Sequence, residues 1–518
     1  VEKPVSRVTG AALHGIDGIA VEVEVRISSL LPRVDLVGLP EAAVRESVAR
    51  VRAAIAATGE QFPERRVTIN LAPAGLRKRG AGLDLPIALC ILAAQGALEP
   101  EALEQKALVG ELALDGRLRP VDGALSLSLA ARQAGCTEVV LPEVNGQEAA
   151  LAPGIRVVAA RDLAEVLGHL RGHRPLPACA PPAYNPEPPP PSADLADIRG
   201  QETAKRALEV AAAGGHGLLL RGPPGSGKTM LARRLPGLLP PLRFEEQIEA
   251  TRIHGAAGRP RLGGPVLVER PFRAPHHSAS LAGLLGGGNP PRPGEVSLAH
   301  RGVLFLDELP EFERRSLEGL RQVLEERSVI VARAGVSCVF PAHFQLVAAA
   351  NPCPCGWRLS KQRDCRCDPG AVARYSGRIS GPLLDRIDLH LAVPPVTWRE
   401  LESPPSGASS MEVRRRVLAA RERQERRFSS SPSSTGPSRS TNSEIPDGQL
   451  DQLVSATAGA LRLLGRAVDR LGLSARAARR LLRVARTVAD LEREDLVDSP
   501  SIAEALTYRA IDPTEGLW

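Results

Sequence analysis

The chain has 518 residues, 43% of them hydrophobic, and a formal net charge of +7. That composition excludes a disordered or fibrous chain and leaves room for about three domains. Aromatic residues are only 3%, so cores must be built from Leu, Val and Ala, and eight cysteines in so long a chain do not make a disulfide scaffold. Six lysines stand among the 66 basic residues, so the positive charge is almost all arginine. It is compatible with nucleic-acid contact without establishing it. The N-terminal VEKPVSRV lacks the apolar stretch of a secretory signal. The best apolar run, Leu85 to Ala94, is half of the ~20 residues a membrane span needs. The expectation is a cytoplasmic protein with no membrane contact.

Residues 1–170 read as an α/β domain. Val5–Ala12, Ile19–Ile27 and Arg33–Val37 have strand character, clearest in the alternation of VEVEVRI. Glu41–Thr58 repeats Val44, Val48, Val51 and Ile55 at helical spacing and stops at Gly59. A strand at Val67–Leu71, a helix at Asp84–Ala94, a strand at Ala107–Gly110, a helix at Leu125–Ala134 and a strand at Glu138–Leu141 follow. Residues 171–193 are proline-dense, form neither helix nor sheet and mark a domain boundary.

Residues 194–395 carry the chemistry. HGLLLRGPPGSGKT, from His216 to Thr229, is a short apolar strand, a Gly/Pro turn and the start of a helix. The G-x-x-x-x-G-K-T spacing is that of a P-loop. Gly222, Pro223, Pro224, Gly225, Ser226 and Gly227 make a loop whose backbone N–H groups turn inward on phosphate oxygens. The helix that follows aims its positive end at the same phosphates. Lys228 supplies a cation to the β/γ-phosphates of ATP and Thr229 a hydroxyl to Mg²⁺. Downstream, Val303–Leu306 ends in Asp307 and Glu308, one carboxylate for Mg²⁺ and one to polarise the attacking water. A further strand, Phe344–Ala350, ends at Asn351, and a hairpin is expected over Val329–Phe340 with Ala334-Gly335 at its tip.

His276 and His277 look like a metal pair, but no other ligand is near in sequence and a loop-shaping role fits better. Cys353, Cys355, Cys365 and Cys367 have the number and closeness for tetrahedral Zn²⁺. C-x-C is tighter than the usual spacing, and a redox-active thiol set or unbonded cysteines remain alternatives. Residues 396–446 hold an arginine-rich helix, Met411–Phe428, and a Ser/Pro-rich stretch expected to be disordered. Residues 447–518 read as a helical lid. Its best helix starts at the N-cap Ser474 and carries Arg476, Arg479, Arg483 and Arg486 on one face. Such a stripe is either a solvated face or a contact with phosphate.

LVGELALDGRLRPVDGALSLSLAARQAG and VVLPEVN in the first domain resemble the proteolytic domain of Lon-type proteases. The turn matching the Lon serine is Gly80-Ala81-Gly82, and Leu125 stands at the position of the Lon lysine. Without a serine–lysine dyad, the resemblance implies a non-proteolytic domain for assembly or for a protein partner. PFRAPHHSAS, PGEVSLAHRGVLFLDELPEF, AAANPCPCG, RISGPLLDRIDLH and LSARAARRLLRVARTVADL resemble the magnesium-chelatase-like AAA+ ATPases of the ComM/YifB type, across essentially the whole chain. The resemblance implies ATP and Mg²⁺ as ligands, Asn351 as the sensor-1 residue, Arg386 as an arginine finger and Arg476 as the sensor-2 arginine. It further implies a homo-hexamer acting on single-stranded or branched DNA in natural transformation, with Arg333 near the hairpin tip gripping phosphate. A magnesium-chelatase ATPase subunit and a protein-remodelling ring are the rival readings.

Overall fold

The computed structural model describes residues 5–39, 42–75, 78, 81–183, 193–258, 264, 266–333, 336–358, 363–402, 404, 407–429 and 440–509. Gly80, the Ala334-Gly335 tip, residues 184–192 of the proline-dense stretch, residues 430–439 of the Ser/Pro-rich stretch and the last nine residues lie outside these. In the first domain Ser6–His14 and Asp17–Ser28 pair antiparallel from Ser6↔Val25 to His14↔Asp17. They anchor a seven-stranded sheet in the order Arg33–Val37, Arg66–Ala72, Asp17–Ser28, Ser6–His14, Lys106–Leu108, Glu138–Pro142, Arg156–Ala160. Strand alternation sends Val8 and Ala12 into one core with the helices Ala42–Ala57 and Asp84–Gln95. Ala11 joins the helix Ala124–Gln133 in another. Asp84 is fully buried at the start of its helix and is neutralised by Arg50, 2.7 Å away. The strand Arg156–Ala160 and the helix Leu163–Leu170 were not foreseen; the helix is capped by Asp162, whose carboxylate accepts from Glu165 N.

The second sheet is all parallel, in the order Phe272–Arg273, Val303–Leu306, Gln345–Ala350, Leu218–Arg221, Leu389–Ala392. Its apolar strands are buried on both faces, as parallel strands between helical layers must be. This order puts the strand that ends at Asn351 between the P-loop strand and the strand that ends at Asp307. Parallel pairing brings the three carboxyl ends to one edge of the sheet.

The helix Ser410–Ser429 packs on the helices Glu202–Gly214 and Lys228–Leu238. Its arginines grip the core: Arg414 donates to Gly237 O and Arg421 to Ala212 O. The helices Ala458–Leu471, Ala475–Leu491 and Ser499–Thr507 share one apolar cluster with the sheet. The two domains are also in contact. Leu125 and Leu151 pack with Val266, and Arg252 donates to Ser126 Oγ at 3.3 Å and pairs with Asp17. Among the described residues no helix is long and apolar enough to cross a membrane.

Candidate functional site

The P-loop runs from Arg221 into the helix Lys228–Leu238. Gly222 passes so close to the last strand that a Cβ there would lie 2.1 Å from Val393 O. Gly225 and Gly227 have φ of +76° and +88°, a region that favours glycine, and a Cβ on either would meet nothing within 4 Å. Lys228 is 8% exposed. Its Nζ donates to Gly222 O and Pro223 O, both at 2.8 Å, and to Asn351 Oδ1 at 3.3 Å. Burial holds the Lys228 ammonium below its usual pKa, against the pull of Asp307 and Glu308. The Ser226 hydroxyl is buried without a hydrogen-bond partner. An orphaned hydroxyl, a buried cation, open glycines and a helix N-terminus form a donor set that fits a polyphosphate.

Thr229 Oγ1 donates to Asp307 Oδ2 at 2.8 Å, and this oxygen pair suits Mg²⁺. Asp307 Oδ1 accepts from Glu308 N at 3.0 Å. Glu308 holds a left-handed φ of +52°, rare for a non-glycine and common at functional sites. Its carboxylate meets His277 Nδ1 at 3.2 Å. His276 lies against the His277 ring, with centroids 4.1 Å apart, and bonds Ser278 Oγ at 2.8 Å. The histidine pair therefore belongs to the site through Glu308. The sequence held no local sign of this. The strand Phe272–Arg273, beside Val303–Leu306 in the sheet, brings the two together.

The structure does not bring Arg386 or Arg476 to the P-loop of its own chain. Both line a cavity of about 400 Å³ with Arg480, Arg483, Asp388 and Glu325. Gly217 and Gln345, at the amino ends of their strands, line it too, so it opens at the sheet edge opposite Lys228. Arg386 Nη1 donates to Pro382 O at 2.6 Å, Nη2 pairs with Glu325, and Nε is buried without a hydrogen-bond partner. Burial, with Arg321, Arg480 and Arg476 close by, pushes the Arg386 pKa down.

The expected arginine stripe is not uniformly exposed. Arg479 and Arg483 pair with Asp447. Arg486 is 1% exposed, donates to Asp495 O at 2.7 Å and lies 3.1 Å from Asp490. It is a core residue because the last two turns of its helix are covered by the chain at Val454 and at Glu494-Asp495. The sulfurs of Cys353, Cys355, Cys365 and Cys367 come together beside Asn351, within 4.8 Å of one another.

The strand order and the site define a P-loop nucleotide-binding protein of the AAA+ type. Family descriptions agree along the chain. "Subunit ChlI of Mg-chelatase" matches residues 23–145, "Magnesium chelatase, subunit ChlI" residues 194–401, and "Magnesium chelatase, subunit ChlI C-terminal" residues 407–509. The chain is 45% identical over 505 residues to "Uncharacterized protein YifB" of Salmonella typhimurium, covering 97% of this chain and 96% of that one. It is 42% identical over 510 residues to "Competence protein ComM" of Haemophilus influenzae, 96% of each. The "Magnesium-chelatase 38 kDa subunit" of Cereibacter sphaeroides is 26% identical over 247 residues, 43% of this chain and 70% of that one. The chain belongs to the magnesium-chelatase-like family, to its ComM/YifB type.

Proposed function

We propose that the protein is an ATP-hydrolysing AAA+ motor that assembles as a homo-hexameric ring and acts on DNA, as a helicase or branch-migration enzyme on recombination intermediates in natural transformation. The hydrolytic part rests on one observation: Lys228, Thr229, Asp307, Glu308 and Asn351 converge on a single glycine loop. The loop amides and Lys228 bind the phosphates, and Ser226 completes the cradle. Thr229 and Asp307 hold Mg²⁺, which supplies positive charge to the transferring phosphoryl group. Glu308 orients the attacking water, and Asn351 fixes Lys228 and senses the γ-phosphate.

The position of Arg386 and Arg476 at the opposite sheet edge supports action in trans, on the nucleotide of a neighbouring subunit. A head-to-tail interface of this kind closes into a ring. The Haemophilus relative is named a competence protein, which supports the DNA role. The hairpin Ser328–Arg333 and Val336–Pro341, with Arg333 at its turn end, is the element proposed to grip the strand. The first domain is proposed to be a non-proteolytic relative of the Lon fold that docks a protein partner, and the four cysteines are proposed to hold Zn²⁺.

The test is steady-state ATP hydrolysis with and without single-stranded and four-way-junction DNA, with Glu308→Gln as control. Stimulation by DNA that vanishes in the variant is the expected result. Robust hydrolysis indifferent to DNA would overturn the DNA role and turn attention to a chelatase or protein-remodelling partner. A wild-type chain that hydrolyses nothing would overturn the motor itself.

A further inference from the structure

Cys353 and Cys355 sit in the turn that leaves the strand Gln345–Ala350, and Cys365 and Cys367 return to meet them. Three of the sulfur separations are 3.4, 3.6 and 3.6 Å. A disulfide would hold its sulfurs about 2.05 Å apart. Four Zn–S bonds of about 2.3 Å in a tetrahedron space theirs by about 3.8 Å. Backbone amides point at the sulfurs: Arg358 N donates to Cys353 Sγ at 3.4 Å and Cys367 N to Cys365 Sγ at 3.5 Å. Such bonds stabilise thiolates and fix their direction. An all-sulfur set selects Zn²⁺ over the oxygen-seeking Mg²⁺ of the nucleotide site.

The same turn is seated on the P-loop at both of its ends. Before the first cysteine, Asn351 Oδ1 accepts from Lys228 Nζ, and Pro352 O accepts from Arg221 Nη2 at 3.4 Å. After the second, Gly356 lies so close to Pro224 that a Cβ there would be 2.5 Å from Pro224 Cδ. Gly356 also has a φ of +82°. The segment that carries half the sulfur set is therefore the segment that supports one wall of the phosphate loop.

We infer that the four cysteines hold a structural Zn²⁺ and that this metal, by fixing the 351–356 turn against Pro224 and Lys228, keeps the P-loop in its nucleotide-binding shape. Four thiolates fill the zinc, so it does no chemistry of its own. The coupling rests on the ATP reading above and is reciprocal: zinc tightens nucleotide, and nucleotide tightens zinc.

The test uses the full chain and two independent readouts: zinc per chain by elemental analysis, and affinity for a fluorescent ATP analogue. Both are measured on the wild type, on protein stripped with a thiol-blocking mercurial and chelator, freed of mercury with excess small-molecule thiol and then reloaded with Zn²⁺, and on three variants. The wild type, Gly356→Ala and Lys228→Ala should each carry one zinc; the Cys365→Ser/Cys367→Ser double variant should carry none. Nucleotide affinity should fall about tenfold or more on stripping and return on reloading, within the usual range of coupling between sites. Gly356→Ala should bind nucleotide more weakly with its zinc in place, and this arm carries the test if the double variant does not fold. Wild type that neither carries zinc nor takes it up, or that carries iron instead, overturns the metal assignment. Unchanged nucleotide affinity after stripping overturns the coupling. A zinc-loaded wild type that binds no nucleotide overturns the ATP reading and the coupling with it, while the zinc count still decides the metal site.

Discussion

Mixing two dead variants gives a quantitative test of the arginine pocket. Arg386 lies just before the strand Leu389–Ala392, and Leu389 pairs with Leu218 at the start of the P-loop strand. That strand is four residues long, Leu218–Arg221. At 3.3 Å per residue it separates the pocket from the P-loop by about 10 Å before the loop itself is counted. Arg386 also points away from the strand, held by Pro382 O and Glu325. It cannot reach the γ-phosphate of its own chain. Arg386→Ala should lower kcat by about a thousandfold or more, the range lost with an arginine finger. Lys228→Ala should be inactive through loss of phosphate binding. In the proposed ring, each site would need Lys228 from one chain and Arg386 from the next. Equal random mixing of the two variants then restores about a quarter of the sites, from independent choice at each of the two positions. Steady-state hydrolysis after co-refolding or subunit exchange reads this directly. Activity no higher than the sum of the two separate variants, in rings shown to be mixed, would refute action in trans.

Three further outcomes follow from the site and its surroundings. His277→Ala should cut kcat about tenfold at unchanged nucleotide affinity, because it removes the ring nitrogen 3.2 Å from the Glu308 carboxylate and a small misplacement of a catalytic group costs up to about 100-fold; a change confined to KM would refute the positioning role. Gly222→Ala should weaken binding of an ATP analogue by about tenfold or more, since its Cβ would collide with Val393 O at 2.1 Å and the loop must shift. Stability should fall as pH drops from about 6.5 to about 4. Burial holds the His390 pKa at about 4, so over that window the unfolded chain binds a proton that the folded chain refuses, at a cost of at most about 3 kcal/mol. His390→Gln should flatten this part of the pH profile of thermal unfolding, and an unchanged slope would count against the assignment.

The nucleotide half of the site was legible because each of its groups sits at the end of a short apolar strand. A P-loop, an acidic pair and an asparagine need only parallel pairing to meet, and sequence periodicity announces such strands. What stayed hidden depends on pairs made far along the chain. His277 finds Glu308 through the two-residue strand Phe272–Arg273, too short to read from alternation. Arg486 shares a helical stripe with Arg476, yet Asp490 and carbonyls from residues 454, 494 and 495 enclose it. Helical spacing reports which side chains share a face, not what covers that face. The helix Leu163–Leu170 did carry its signal, in Asp162 followed by Glu165.

The hairpin is less independent than its exposed tip-ward residues suggest. Along it Ile330 and Val339 face outward, while Val329, Val331, Cys338 and Phe340 turn inward and share a cluster with Ile16 of the first domain. Gly15 sits against Cys338 so closely that a Cβ would be 3.1 Å from Cys338 Cβ. Close-packed contacts of this kind transmit displacement rather than absorb it. The hairpin and the turn between the first two strands of the chain are therefore geared together. In the proposed motor, a stroke of the hairpin would drag the first domain with it, and a load that restrains that domain would act as a brake on the stroke.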